Sequence, residues 1–335
     1  MVMFSETSAG LPSLVDVESG GIAACLDGSE MGECVLPHAR AMASALGGPL
    51  TLLRVLEGSP GASGGERLDP VEWEILRREA RDYLERLAER GRRDGSADIA
   101  VVEGQAAEEI SFWVRNHGVA LTVLSSHGNG GKTLWSLAST ARKLIDAGPG
   151  SFVLVPSLGG PRDGVARYRR LLVPLDGSAL AESVVPFALR LAETHRAELL
   201  LAHVVPALEL TQFGPPDAED LELRERLMRR NERVGGQYLD RLRAHIASAD
   251  VELRSLVLRG GDARSRLAGV ITEEEIDLVV LSARGHTSRL DAALGSVTSY
   301  LVAHAGVPLL IVRRYAAASR HASGRDLRLP SQASL

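Results

Sequence analysis

Short, continuous apolar runs rich in Val, Leu and Ile recur at 22–26, 50–55, 99–102, 121–124 and 152–155, then at 171–175, 199–205, 252–258, 278–281 and 309–312. Runs of this length, closed off by charge, glycine or proline, predict buried strands. Helical spacing of apolar residues between them predicts helices over 33–45, 70–90, 106–117 and 139–146, and from 297 to 305 near the end. The Arg- and Glu-rich stretch 221–243 reads as a further helix with a solvated face. Strands that alternate with helices through short connections form a parallel sheet covered on both faces. The predicted class is therefore α/β, in two units of five strands each. Ligands of such sheets sit beyond the carboxyl ends of the strands, where the winding reverses.

The two halves are copies. Leu26-Asp27-Gly28-Ser29 returns as Leu175-Asp176-Gly177-Ser178, 149 positions later; Glu33, Pro37, Ala39 and Val55 meet Glu182, Pro186, Ala188 and Val204 at the same spacing. A proline inside a helix costs about 3 kcal/mol, so its return in register argues for duplication rather than coincidence. Further on the spacing becomes 157, where Ser125 meets Ser282, Gly128 meets Gly285, Ser139 meets Ser296 and Val155 meets Val312. The second copy thus carries a net insertion of 8 residues after its second strand, and Gly214-Pro215-Pro216 is the expected place for part of it. A polar stretch, 159–168, links a first unit (20–158) to a second (169–315). Residues 1–19 read as a flexible leader and 316–335 as a disordered tail.

Composition narrows the classes. A chain of 335 residues with 45% hydrophobic and 24% charged content is that of a soluble globular protein with two ordinary cores. A formal net charge of −5 argues against a general binder of nucleic acid or anionic membrane. No apolar run is long enough to span a bilayer, and the first residues lack the basic start and apolar core of a signal peptide. The two cysteines, Cys25 and Cys34, cannot build a disulfide framework, which fits a reducing cytoplasm.

The strongest chemical signal follows the apolar run from Ile276 to Leu281. There Ser282-Ala283-Arg284-Gly285 leads through a loop to Gly295-Ser296-Val297 and a helix. A loop of this kind turns backbone N–H groups and the positive helix end towards one point, which suits an anion. Glycine keeps side chains out of the way, and Ser296 stands where a first-turn hydroxyl adds a donor. Asp176 ends the first strand of its copy, so acid and loop face one crevice if the two strands are neighbours. The plainer reading of the loop is a strand-to-helix turn that binds nothing, and of Asp176 a helix-capping acid. Lysine occurs only at Lys132 and Lys143, both in the first copy, so the second copy has no P-loop lysine. Phosphate charge there falls to amides and to arginines such as Arg284, Arg264 or Arg289. Cys34 and His38 stand four apart on a predicted helix, but Ser183 and Phe187 replace them in the second copy, so packing is the preferred reading. His127 and His286 flank the loops, where they could touch phosphate or stand as solvated or capping residues, and no pair of histidines with acidic or cysteine neighbours has metal-ligand spacing.

Together, Val173-Pro174-Leu175-Asp176-Gly177-Ser178, Ala202-His203-Val204 and the Gly285, Gly295-Ser296 loop resemble the universal stress protein family, as two tandem copies. The resemblance implies Rossmann-like (adenine nucleotide alpha hydrolase-like) units that bind ATP or another adenine nucleotide, accompanied by Mg²⁺ or Mn²⁺. It implies that Asp176 and the backbone of Val204 contact the adenosine, while Gly285, Gly295, Ser296 and Val297 hold phosphates. Pro174, Gly260, Ser282 and Arg284 complete the expected site. Ser282 replaces the first glycine of the family pattern. The first copy departs further: a second site there would use Asp27, Val55, Gly104, Ser125, Gly128, Ala138 and Ser139, yet Ala138 replaces the last glycine and Trp135 crowds the loop. Family members pair through the fifth strand, so 152–155 and 309–312 are expected to meet as an intramolecular pseudo-dimer. The implied function is cytoplasmic, nucleotide-dependent stress response or signalling through an unidentified protein partner, with no nucleic acid or membrane, and with homodimers of the tandem chain open. Alternatives from other classes are a slow ATPase or nucleotidyl-transfer enzyme, and a nucleotide-free interaction module.

Overall fold

The computed structural model describes residues 20–58, 69–92, 95–126, 139–157, 164–207, 217–246, 250–285 and 293–313. The predicted leader and tail, Gly214-Pro215-Pro216, and Gly128, Ala138, His127, His286 and Arg289 lie outside these residues.

The first repeat runs β1 (Gly21–Leu26), α1 (Val35–Leu46), β2 (Leu50–Leu56), α2 (Pro70–Arg90), β3 (Ala97–Glu103), α3 (Ala106–Asn116), β4 (Val119–Ser125), α4 (Ser139–Ala147) and β5 (Ser151–Val155). The second runs β6 (Arg170–Pro174), α5 (Ala179–Glu182), α6 (Val185–His195), β7 (Glu198–Val205), α7 (Ala218–Ile246), β8 (Leu253–Arg259), α8 (Ala263–Glu273), β9 (Leu278–Ser282), α9 (Ser296–His304) and β10 (Leu309–Val312). All ten strands join one sheet, in the order β3-β2-β1-β4-β5-β10-β9-β6-β7-β8. Pairing is parallel within each repeat, and the winding reverses between the first and fourth strands of each. The central pair, β5 with β10, is antiparallel, with Leu309 opposite Leu154, Leu310 opposite Val153 and Ile311 opposite Phe152. Both strands are buried on both faces, as their unbroken apolar runs require.

One face of the sheet carries α1, α2, α6 and α7 over a core continuous across the two repeats. The other carries α3 and α4 over one cluster and α8 and α9 over another, with Leu294 and Val302 touching both. Among the described residues, no helix is long and apolar enough to cross a membrane.

Three details differ from the sequence reading. The insertion of 8 residues lies in the helix, not in the proline-rich connection, because α7 has 29 residues against 21 in α2. Its added turns carry exposed pairs, Glu222 with Arg226 and Glu225 with Arg229. The repeated prolines fall in the first turns of α1 and α6, where the missing N–H has no intrahelical acceptor to lose, so neither helix is strained. In the first repeat a 3-10 turn, Gly32–Cys34, takes the place of the expected start of the helix.

Polar contacts tie the two repeats beside the shared core. Ala166 N donates to Pro37 O at 3.0 Å, Arg190 Nε to Ala45 O at 3.1 Å, and buried Arg40 to Gly164 O at 3.2 Å, while its bond to Leu87 O, also at 3.2 Å, stays within the first repeat. His38 Nδ1 meets the Tyr168 hydroxyl at 2.8 Å, and Tyr168 packs edge-on against His195. Burial holds His38 down from 6.5 to about 4. The unfolded imidazole takes a proton more readily, so the unfolded chain binds more protons across that window and stability rises with pH there. This contribution is complete above pH 6.5 and is lost as pH falls towards 4. The loss amounts to about 3 kcal/mol, and a His38→Gln variant is expected to lack it in acid melting curves. Identical acid dependence of Tm in the two proteins would show that His38 is not buried as described.

Candidate functional site

The carboxyl ends of β6, β7 and β9 and the start of α9 enclose a cleft of about 120 Å³. Three chain features build it. First, β6 ends at Pro174, and the turn behind it needs Gly177, whose φ of +81° is costly for any residue with a Cβ. Asp176 Oδ1 accepts the N–H of Ser178 at 3.0 Å, and Ser178 Oγ accepts that of Ala181 at 3.1 Å, which starts α5. Second, Val204 near the end of β7 lines the cleft, and His203 beside it turns away to meet Leu175 O at 2.8 Å. Third, β9 delivers Ser282, Arg284 and Gly285, and the chain re-enters at Gly295, Ser296 and Val297.

The loop is pinned at both ends. Gly295 N donates to Ala283 O at 2.8 Å, and Thr298 Oγ1 donates to Ser282 O at 3.0 Å. Ser282, which stands where the family pattern has glycine, donates its hydroxyl to Arg284 O and so braces the turn from within. Gly285 has no left-handed φ; it is required for space instead. A Cβ on it would run into Asp176 Oδ2, so the strand-end acid and the loop do face one crevice. The first N–H groups of α9 have no acceptor within the helix, and they open at Ser296 and Val297 onto this cleft.

Of the expected residues, Pro174, Asp176, Val204, Ser282, Arg284 and Gly285 line the cleft, as do Gly295, Ser296 and Val297. Gly260 does not. Its φ of +66° and the bond from its N–H to Val205 O at 2.9 Å give it a turn-forming role at the end of β8. Arg264 is also turned elsewhere, paired with Asp262 and lying over the Tyr300 ring. Apolar walls from Ala181, Ala202, Ala263 and Leu267 escaped the sequence reading. Strand alternation from Val204 points to Ala202, and helical spacing joins Ala263 to Leu267, but no polar chemistry marks them.

The first repeat holds its residues differently. Asp27 Oδ1 accepts both the N–H and the hydroxyl of Ser29, at 2.9 and 2.6 Å, and a Cβ at Gly32 would strike it. Ser125 Oγ lies 2.7 Å from Ser157 Oγ and 3.8 Å from the Cys34 thiol. Gly104 turns the chain after β3 at φ +136°, Val55 packs into the α3–α4 core, and Ser139 begins α4. Cys34 and His38 do not form a pair, since the imidazole meets Tyr168 and the thiol meets Ser125. Among the described residues no group of three or more His, Cys, Asp or Glu could hold a metal ion.

The universal stress protein family matches this chain twice, at residues 21–156 and 167–313. Universal stress protein MJ0531 of Methanocaldococcus jannaschii is 25% identical over 154 residues, which cover 46% of this chain and 86% of that protein. The universal stress protein in the QAH/OAS sulfhydrylase 3′ region of Thermus aquaticus is 31% identical over 148 residues, covering 44% of this chain and 99% of that protein. The fold is also that of a universal stress protein from Archaeoglobus fulgidus, whose crystal structure matches 89% of this chain and 99% of its own at a TM-score of 0.60 and 17% identity.

The contact between Gly285 and Asp176 makes a prediction independent of any ligand. Gly285→Ala is expected to cost up to about 1 kcal/mol, because the added Cβ meets the end of an exposed side chain that can swing aside. The same change in an Asp176→Ala background is expected to be nearly neutral, a coupling readable in a denaturant double-mutant cycle. Additive losses would mean that the two residues do not touch.

Proposed function

The chain belongs to the universal stress protein family, and from that premise we propose that its second repeat, residues 169–315, holds ATP or another adenine nucleotide in the cleft beyond β6, β7 and β9. The observation that carries this reading is the joining of Asp176, Gly285 and the start of α9 around one cleft. Asp176 is exposed and acidic where a ribose presents hydroxyls, and Val204 with the alanine and leucine walls suits a flat base. Amides of Ser296 and Val297, with Arg284, would meet the phosphates without a lysine. Mg²⁺ or Mn²⁺ would arrive with the nucleotide, held by phosphate oxygens and water, and would supply charge neutralisation.

This donor set grips phosphate and offers no placed base or lysine among the lining residues, so its chemistry is retention rather than turnover. The bound nucleotide would bias the conformation of a cytoplasmic protein that a partner reads in a stress or signalling response. The first repeat, 20–158, is the weaker binder in this reading. Its loop carries Ala138 where the second repeat has Gly295.

Heat denaturation of the purified chain followed by chromatography of the released small molecules tests the reading. About one adenine nucleotide per chain is expected, and at least a tenfold smaller amount from Gly285→Glu, whose side chain brings bulk and negative charge against Asp176. A folded Gly285→Glu protein with full retention, or a wild type that neither retains adenine nucleotide nor binds it at millimolar ATP, would overturn the proposal.

A further inference from the structure

The ten-stranded sheet ends in two open edges, β3 and β8. They occupy matched places, since Ala97–Glu103 lies along β2 as Leu253–Arg259 lies along β7. Their guarding differs. β8 carries Arg254, which pairs with Glu198 and Glu274, and Arg259, which pairs with Glu225 and Glu232. Charged side chains held along a strand are one way of blunting an edge. β3 reads Ala-Asp-Ile-Ala-Val-Val-Glu, without Lys, Arg, Pro or Gly, and keeps unbroken register with β2 from Ala97 to Glu103. Ile99, Ala100, Val101 and Val102 pack against the two cores yet stay half-buried. A straight, largely apolar edge of this kind is a template for another strand.

Hydrogen bonding decides which backbone groups that edge presents. Gly104 N–H donates to Leu56 O at 3.0 Å. Val102, Ala100 and Asp98, at alternate positions before it, therefore turn their N–H and C=O towards β2. Ala97, Ile99, Val101 and Glu103 turn theirs outward, and among the described residues no strand lies beyond them.

This outward row is complementary to itself. In an antiparallel pair centred on Ala100, Ile99 falls opposite Val101 of the second copy and Ala97 opposite its Glu103, and each such pair exchanges two backbone bonds. Ile99 and Val101, on the face covered by α2, then make β-branched cross-strand pairs. On the other face Asp98 falls opposite Val102, and Ala100 faces its own counterpart. No carboxylate stands directly opposite another, a placement that would repel. The β5–β10 ladder at the centre of the molecule is an antiparallel join of the same kind. Pairing β3 with β8 of another copy would instead leave one open edge of each kind on every complex, so it would grow without closing.

We propose that β3 docks a second copy of this chain, β3 against β3 in antiparallel register about a two-fold axis at Ala100. One sheet then runs through both chains, with the first repeats innermost and the second repeats, which carry the cleft beyond β6, β7 and β9, at the two ends.

Sedimentation of the full chain at about 10–100 µM tests the pairing. The wild type is expected at twice the 35.7 kDa of one chain. Ala100→Lys and Ala100→Glu each set like charges face to face at the axis, and each is expected to weaken the dimer at least about tenfold. Mixing the two variants is expected to restore a dimer, which a loss caused by misfolding would not allow. Cross-linking reads the register. The two Ala100 Cα atoms would stand about 4.5 Å apart as a non-hydrogen-bonded pair, within reach of a disulfide, whereas each Asp98 has Val102 opposite it. Ala100→Cys is therefore expected to give a covalent dimer under mild oxidation. Asp98→Cys is not, nor is the wild type with its own Cys25 and Cys34. A monomeric wild type, or masses that climb with concentration past the dimer as chains add end to end, would overturn the pairing. So would a dimer indifferent to charge at position 100, or Asp98→Cys cross-linking as readily as Ala100→Cys.

Discussion

The backbone ladder between β5 and β10 is the interaction on which the rest of the molecule depends. Each strand is apolar on both faces and would be an exposed sheet edge in an isolated repeat. Edges of that kind present unpaired N–H and C=O groups and invite association with other chains. Pairing them covers both at once and sets the repeats antiparallel about the centre of one sheet. The α1 and α6 helices then meet across the seam, and a single core runs beneath them. The buried His38–Tyr168 contact, the Arg40 bond to Gly164 and the Arg313 caps on α4 all span positions this ladder brings together.

From that arrangement the difference between the two halves becomes a matter of a few atoms. Both repeats end their first strand in Asp-Gly-Ser, and both use the serine hydroxyl to accept a backbone N–H three residues on. In the first, that third residue is Gly32, close enough to Asp27 that a methyl group could not fit. In the second it is Ala181, whose side chain joins the cleft wall, and the acid approaches Gly285 instead. The same turn stands in both copies, with the second carboxylate set against the loop glycine. Duplication supplied the frame, and Ala181 in place of Gly32 is one substitution that puts a methyl group on the cleft wall.

Local signals in the chain carried most of the fold. The Asp69-Pro70 start and the Gly91 end bound α2 at the residues expected, because the Asp69 side chain accepts Val71 N–H and proline suits the first turn. The strand-end acid and the loop glycine were likewise legible, since each belongs to a turn of a few residues. What escaped depends on contacts far apart in sequence. His38 stands 130 positions from Tyr168, so its role as a seam contact rather than a thiol partner has no local trace. The apolar walls at Ala202 and Leu267 look like ordinary core until the cleft is seen. The added turns of α7 were masked by a proline-rich neighbour that offered a more obvious place for an insertion. Gly260, expected at the site, stands outside the cleft lining and turns the chain at the end of β8.

Covalent tandem linkage is what allows these differences to persist. In a symmetric pair of identical chains every substitution appears twice, once on each side of the axis. In a tandem chain Pro156 and Arg313 diverge freely, as do Cys34 and Ser183, or His127 and Arg284. The described groups at the seam can then differ in kind, with Cys34, Ser125 and Ser157 bonded on one side and Arg313 capping α4 on the other, while the β5–β10 ladder stays unchanged. The sheet demands near-symmetry of backbone only, and the side chains at these matched positions are released from it.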